Sequence, residues 1–102
     1  MRVRWLAVAR ADLLAIGEYI AQHNQTAAYT VQEAIRQQVG RLAEHPQSGR
    51  PGRVESTREL VVSATRYIVA YRVAGEVVTI LRVLHGAQKW PKEFWLVRRR
   101  TS

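Results

Sequence analysis

Two sheet-forming runs meet at a short turn late in the chain, and that junction constrains the fold most. In residues 66–73, Tyr67, Val69, Tyr71 and Val73 share one face of an extended strand, and Arg66, Ile68, Ala70 and Arg72 share the other. Ala74, Gly75 and Glu76 make a tight turn, and residues 77–85 return as a partner strand, so the pair reads as a β-hairpin. Residues 58–63 supply one more strand just upstream. The stripe of two tyrosines and two valines is the expected buried face.

Ahead of these strands the hydrophobic period changes. Residues 1–6 alternate, with Val3 and Trp5 on one side and Arg2 and Arg4 on the other, which predicts a short first strand. Over residues 8–21, Ala9, Leu13, Ile16 and Ile20 recur at helical spacing, and Gly17 beside them admits a close neighbour. Asn24 or Thr26 caps a second helix with the stripe Val31, Ile35, Val39 and Leu42, which Pro46 ends. Residues 46–53 read as loop, because Gly49, Pro51 and Gly52 oppose regular structure. The expected fold is α+β in the order β-α-α-β-β-β, a helical hairpin packed on one face of a small antiparallel sheet. The other sheet face is left open, where strand arginines can stay solvated. One domain over residues 1–96, followed by a basic tail at 97–102, accounts for a chain of 102 residues.

Charge narrows the function. The net charge is +8, and residues 46–102 hold +7 of it. Fourteen of the sixteen cations are arginine, which suits bidentate contacts to phosphate or carboxylate. A polyanionic partner is expected, either nucleic acid or an acidic protein. With no cysteine there is neither a disulfide framework nor a thiolate metal site. His23, His45 and His85 show no metal-ligand spacing, so no metal and no cofactor are expected. No apolar run is long enough to span a bilayer, and the expected location is cytoplasmic.

Five segments in order, "ADLLAIGEYIAQHN", "HPQSGRPG", "TRELVV", "YIVAYRV" and "ILRVLHGAQKW", resemble the RelE/ParE superfamily of bacterial toxins from type II toxin–antitoxin modules. The likeness runs from about residue 3 to residue 90. It implies a growth-inhibiting toxin neutralised by an acidic antitoxin. RelE-like members cleave mRNA at the ribosome without a metal. ParE-like members instead poison DNA gyrase. The likeness also implies a helical hairpin on an antiparallel sheet, the order already read from periodicity.

Metal-free RNA cleavage requires a base for the ribose 2′-OH, positive charge for the phosphorane and an acid for the leaving oxygen. Arginine supplies charge but does not exchange a proton at neutral pH. By resemblance, Arg58 and Arg82 take the strand-arginine positions, and His85 takes the proton-transfer position at the strand end. Arg50, Arg53, Arg66 and Arg72 are the expected RNA phosphate contacts. On this reading the chain is a ribosome-dependent endoribonuclease; the alternative is a gyrase inhibitor in which His85 is structural. Arg82 and His85 lie three apart, so a regular strand turns them to opposite faces. Arg58 has a structural alternative as an ion pair with a nearby acid, such as Glu59 or Glu93. His23 and His45, near helix C-termini, read as structural. Trp90, Phe94 and Trp95 read first as packing, with stacking on bases or contact with gyrase as the alternatives.

Overall fold

The computed structural model describes residues 1–88. Trp90, Phe94, Trp95 and the basic tail lie outside the described residues. The order is β1 (Arg2–Trp5), α1 (Ala7–Ala21), α2 (Gln25–Gly40), a 3₁₀ turn (Arg41–Ala43), β2 (Arg50–Pro51), β3 (Arg58–Val61), β4 (Tyr67–Ala74) and β5 (Val77–His85). These strands form one sheet in the order β1-β5-β4-β3-β2. β1 runs parallel to β5, and every other pairing is antiparallel. No helix among the described residues is long and apolar enough to cross a membrane.

The two helices pack on one sheet face. Asn24 caps α2, its side-chain oxygen accepting from the Ala27 N–H at 2.9 Å. Gly17 lets the helices approach, since a Cβ there would meet the Gln32 amide, which donates to the Leu13 carbonyl at 3.1 Å. Ala9, Leu13, Ile16, Ile35, Val39 and Leu42 from the helical segments enclose Val69, Tyr71, Val78, Ile80 and Val83 from β4 and β5. The tyrosine–valine stripe thus faces the helices, as its alternation predicts.

The far sheet face differs from the open surface that the pattern suggests. Val54, Ile68, Ala70, Leu81 and Leu84 form a second buried cluster there, with Leu6 packed against it. A bulge in β5 explains why both faces are apolar. Tyr71 pairs with Ile80 and Ala70 with Arg82, so Leu81 is the extra residue. The insertion shifts parity: Val83 returns to the helix side opposite Val69, and Leu84 joins the far cluster opposite Ile68.

Three boundaries also differ. α2 ends at Gly40 rather than running to Pro46, with a 3₁₀ turn beyond it. β3 stops at Val61, and the expected loop contains β2, where Arg50 pairs with Glu59 and Pro51 with Arg58. The pull on that loop is tertiary. The fully buried Tyr71 donates its hydroxyl to the Pro46 carbonyl at 2.7 Å and accepts the Gly49 N–H at 2.9 Å. A Cβ on Gly49 would sit 2.6 Å from that hydroxyl oxygen and 2.9 Å from the Glu59 carbonyl oxygen. Gly49→Ala is therefore expected to lower stability by about 2 kcal/mol or more, read from urea unfolding, because neither the ring nor the strand can yield.

Candidate functional site

The predicted cations fall into separate groups, each fixed by its own element. On the far face of β3, Glu59 is 3% exposed and receives four donors, the longest of them Arg53 Nη2 at 3.5 Å. The Arg53 backbone N–H donates at 2.7 Å, the Arg53 Nε at 3.1 Å and the Arg50 Nη2 at 3.2 Å. Burial pushes the Glu59 carboxyl up, but the Arg53 amide, the Arg53 guanidinium and Arg50 together outweigh it, and the pKa lies below its ordinary 4.5. The loop so held carries Val54 onto the far cluster, with the Gly52 N–H closed on the Thr57 carbonyl at 2.8 Å.

Arg58 is one residue from Glu59 and so points to the opposite face of β3, opposite Tyr71. It pairs with neither Glu59 nor any other acid among the described residues. Its Nη2 donates to the carbonyls of Gln47 at 3.0 Å and Gly49 at 2.5 Å, while its buried Nε has no partner. Arg58 and Tyr71 therefore grip the same turn of chain from two strands.

At the opposite side of the sheet, Arg82 meets α1. Its Nε and Nη2 donate to the two carboxylate oxygens of Asp12 at 2.7 and 2.9 Å. The Val83 N–H donates to Asp12 as well, at 2.9 Å. The two side chains are 16% and 14% exposed, so the fork is largely withdrawn from solvent. His85 lies elsewhere. It pairs with Tyr67 on the helix side, with ring centroids 5.6 Å apart in an edge-to-face arrangement. Its Nδ1 accepts the Ala87 N–H at 3.1 Å, which leaves Nε2 to carry the proton in the neutral ring. Burial, and then the neighbouring Tyr19, push the Tyr67 phenol above its ordinary 10.0, so Tyr67 stays protonated.

Arg82, opposite Ala70, and His85, opposite Tyr67, occupy opposite faces of β5. The bulge precedes both and does not reunite them. Arg66 is exposed just before β4, its carbonyl accepting the Gly86 N–H at 2.8 Å. Arg72 is half-buried opposite Thr79. Arg50 and Arg53 come together on Glu59; the remaining candidates do not converge on them. Asp12, which holds Arg82, stands in no catalytic or metal-ligand motif of the sequence. Its available signal was a carboxylate beside the apolar stripe of α1, where an unpaired charge is costly.

A helical hairpin on a mainly antiparallel five-stranded sheet, rich in strand arginines, is the architecture of the small RelE/ParE toxins. The family model described as ParE toxin of type II toxin-antitoxin system, parDE, matches residues 3–90, and the chain belongs to that family. It is 46% identical over 91 residues to the toxin candidate Y4kP of Sinorhizobium fredii, covering 89% of this chain and 94% of that protein. It is 38% identical over 87 residues to Toxin RelE2 of Caulobacter vibrioides, covering 85% and 97%. A chain of the solved chromosomal ParDE TA system from P. aeruginosa superposes with a TM-score of 0.75 at 30% identity, covering 83% of this chain and 95% of that one. The protein is a toxin of a type II toxin–antitoxin module, a class of module that supplies an antitoxin partner.

Glu59 offers a direct check on how the basic loop is held. Because its folded pKa is depressed, its contribution is fully present above pH 4.5 and is lost as pH falls through the lower folded value. Glu59→Gln is expected to cost about 1–3 kcal/mol at pH 7. In chemical denaturation series, that difference should narrow steadily below pH 4.5.

Proposed function

We propose that this toxin acts by gripping a protein target, with DNA gyrase the first candidate, and not by cutting RNA. The observation that carries the reading is the separation of Arg82 from His85. One has its fork filled by Asp12, and the other sits across the strand against Tyr67. In-line attack by a 2′-OH needs a proton acceptor, a cation and a proton donor within hydrogen-bond reach of one phosphate. Arg58 on two carbonyls, and Arg50 and Arg53 on Glu59, further support a structural use of the expected catalytic and phosphate-binding cations. Membership of the ParE family points the same way, since ParE-like toxins of the superfamily act on gyrase. The partner that silences the toxin is then an acidic antitoxin, matched to a chain of net charge +8.

The test gives purified toxin to two reactions, gyrase supercoiling of relaxed plasmid and mRNA bound to programmed ribosomes. Supercoiling is expected to fail while the mRNA stays intact, and His85→Ala is expected to keep at least a third of the inhibition. Cleavage of the mRNA, abolished by His85→Ala or Arg82→Ala, would reverse the assignment in favour of the ribosome-dependent endoribonuclease.

A further inference from the structure

We infer that the sheet face turned away from the helices carries, at its β1 corner, a docking surface for the phosphate backbone of duplex DNA, centred on Arg4, Thr79 and Arg72. Three strands bring these side chains into one row. Arg4 of β1 pairs with Thr79 of β5, and Thr79 pairs in turn with Arg72 of β4. Paired residues share a sheet face, and neighbouring strands lie about 4.8 Å apart, so the two arginines flank the threonine with about 10 Å between their backbones. Val3, Trp5, Val73, Val78 and Ile80, the chain neighbours of the row, all pack on the helix side, which turns the row to the other side. Arg2 joins it from two residues before Arg4. Arg2 and Arg4 are exposed, and Thr79 and Arg72 are half-buried beside them.

The chemistry of the row selects the occupant. A guanidinium forks two phosphate oxygens and a threonine hydroxyl donates to another, contacts that hold a backbone without reading bases. Among the described residues Glu59 and Asp12 hold Arg50, Arg53 and Arg82, while no ion pair joins Arg2 or Arg4 to an acid. A single strand of nucleic acid is gripped mainly by stacking its bases on aromatic rings. This face offers none among the described residues, since Trp5, Tyr67 and Tyr71 all turn to the helices. A protein partner centres its contact on apolar side chains and keeps charge at the rim. The exposed Leu14, Tyr19 and Tyr29 that would suit one lie on α1 and α2, in the helical layer. A rigid ladder of phosphates, met by charge and a hydroxyl, is the polyanion that fits. Such binding is independent of base sequence, and independent of which protein the toxin grips.

The experiment titrates a short fluorescent duplex of mixed sequence with the full chain and reads anisotropy across a salt series. Each arginine–phosphate contact contributes about −0.9 to the slope of log affinity against log salt. Arg2→Gln/Arg4→Gln is therefore expected to flatten the slope by about 2 and to weaken binding about tenfold or more. Arg10→Gln/Arg41→Gln removes the same charge from exposed residues of α1 and the 3₁₀ turn, and should leave the slope unchanged. Equal flattening by the two double variants reports diffuse attraction to net charge and overturns the site, as does a duplex that does not bind at low salt. Single-stranded polyuridine and polyglutamate are expected to bind about tenfold more weakly than the duplex. Either one binding as tightly, and losing as much on Arg2→Gln/Arg4→Gln, overturns the choice of duplex. Amide chemical shifts of the unaltered chain keep the test free of any folding defect in the variants. Adding the duplex should move Arg4, Arg72 and Thr79 most, and shifts confined to other residues overturn the inference.

Discussion

The carboxylate of Asp12 closes the place where the sheet runs out of strand. β1 ends at Trp5, one residue past which the chain turns into α1, whereas β5 continues to His85. Beyond Ile80 the outer edge of β5 has no strand beside it among the described residues, and Asp12 takes the Val83 N–H in a strand's stead while gripping Nε and Nη2 of Arg82. One side chain thereby ties α1 to the sheet, satisfies an edge donor and neutralises an arginine. The other end of the hairpin does something similar. Gln38 of α2 donates to the Ser63 carbonyl at 3.2 Å and accepts the Ser63 N–H at 2.8 Å, an amide standing in for a strand. Both helices thus supply polar groups to backbone that the strands leave unpaired, which a sheet this small requires.

This division of labour changes what the positive charge means. Arg50, Arg53 and Arg82 hold loops and helices through Glu59 and Asp12, and Arg58 holds the 47–49 turn through carbonyls. Arg53, Arg58 and Arg82 each make a two-point contact of the kind for which arginine is suited and lysine is not, whereas Arg50 touches Glu59 through one nitrogen. Among the described residues, Arg2, Arg4 and Arg66 are exposed and their side chains have no such ties. The total charge that predicts a polyanionic partner is thus divided between arginines that hold the fold and exposed ones that do not.

Much of the fold was legible because two periods dominate the sequence. The helical recurrence through Ala9, Leu13 and Ile16, and the alternation through Tyr67, Val69 and Tyr71, each bury the face they predict. The far face was not legible. "ILRVL" places apolar residues on both sides of β5, and only the bulge at Leu81 decides which of them turns toward the helices. β2 was hidden for another reason: its glycine and proline oppose a strand locally, and the Tyr71 hydroxyl and Arg58 fork draw it against β3 regardless. At the candidate site the arginines were visible as residues, but their partners lay 70 positions away in Asp12 and on loop carbonyls. Spacing along the chain carries no trace of such pairs. Strand parity did warn that Arg82 and His85 part company, and the register bears this out.

The central claim is that Arg82 is held as a structural cation by Asp12. A double-mutant cycle of Asp12→Ala and Arg82→Ala, read as unfolding free energy, tests it most directly. The account predicts that each single change destabilises the toxin and that the pair is coupled by about 2 kcal/mol. Coupling below about 0.5 kcal/mol, with Arg82→Ala as stable as the parent yet no longer toxic, would contradict it and return Arg82 to the chemistry of a phosphate.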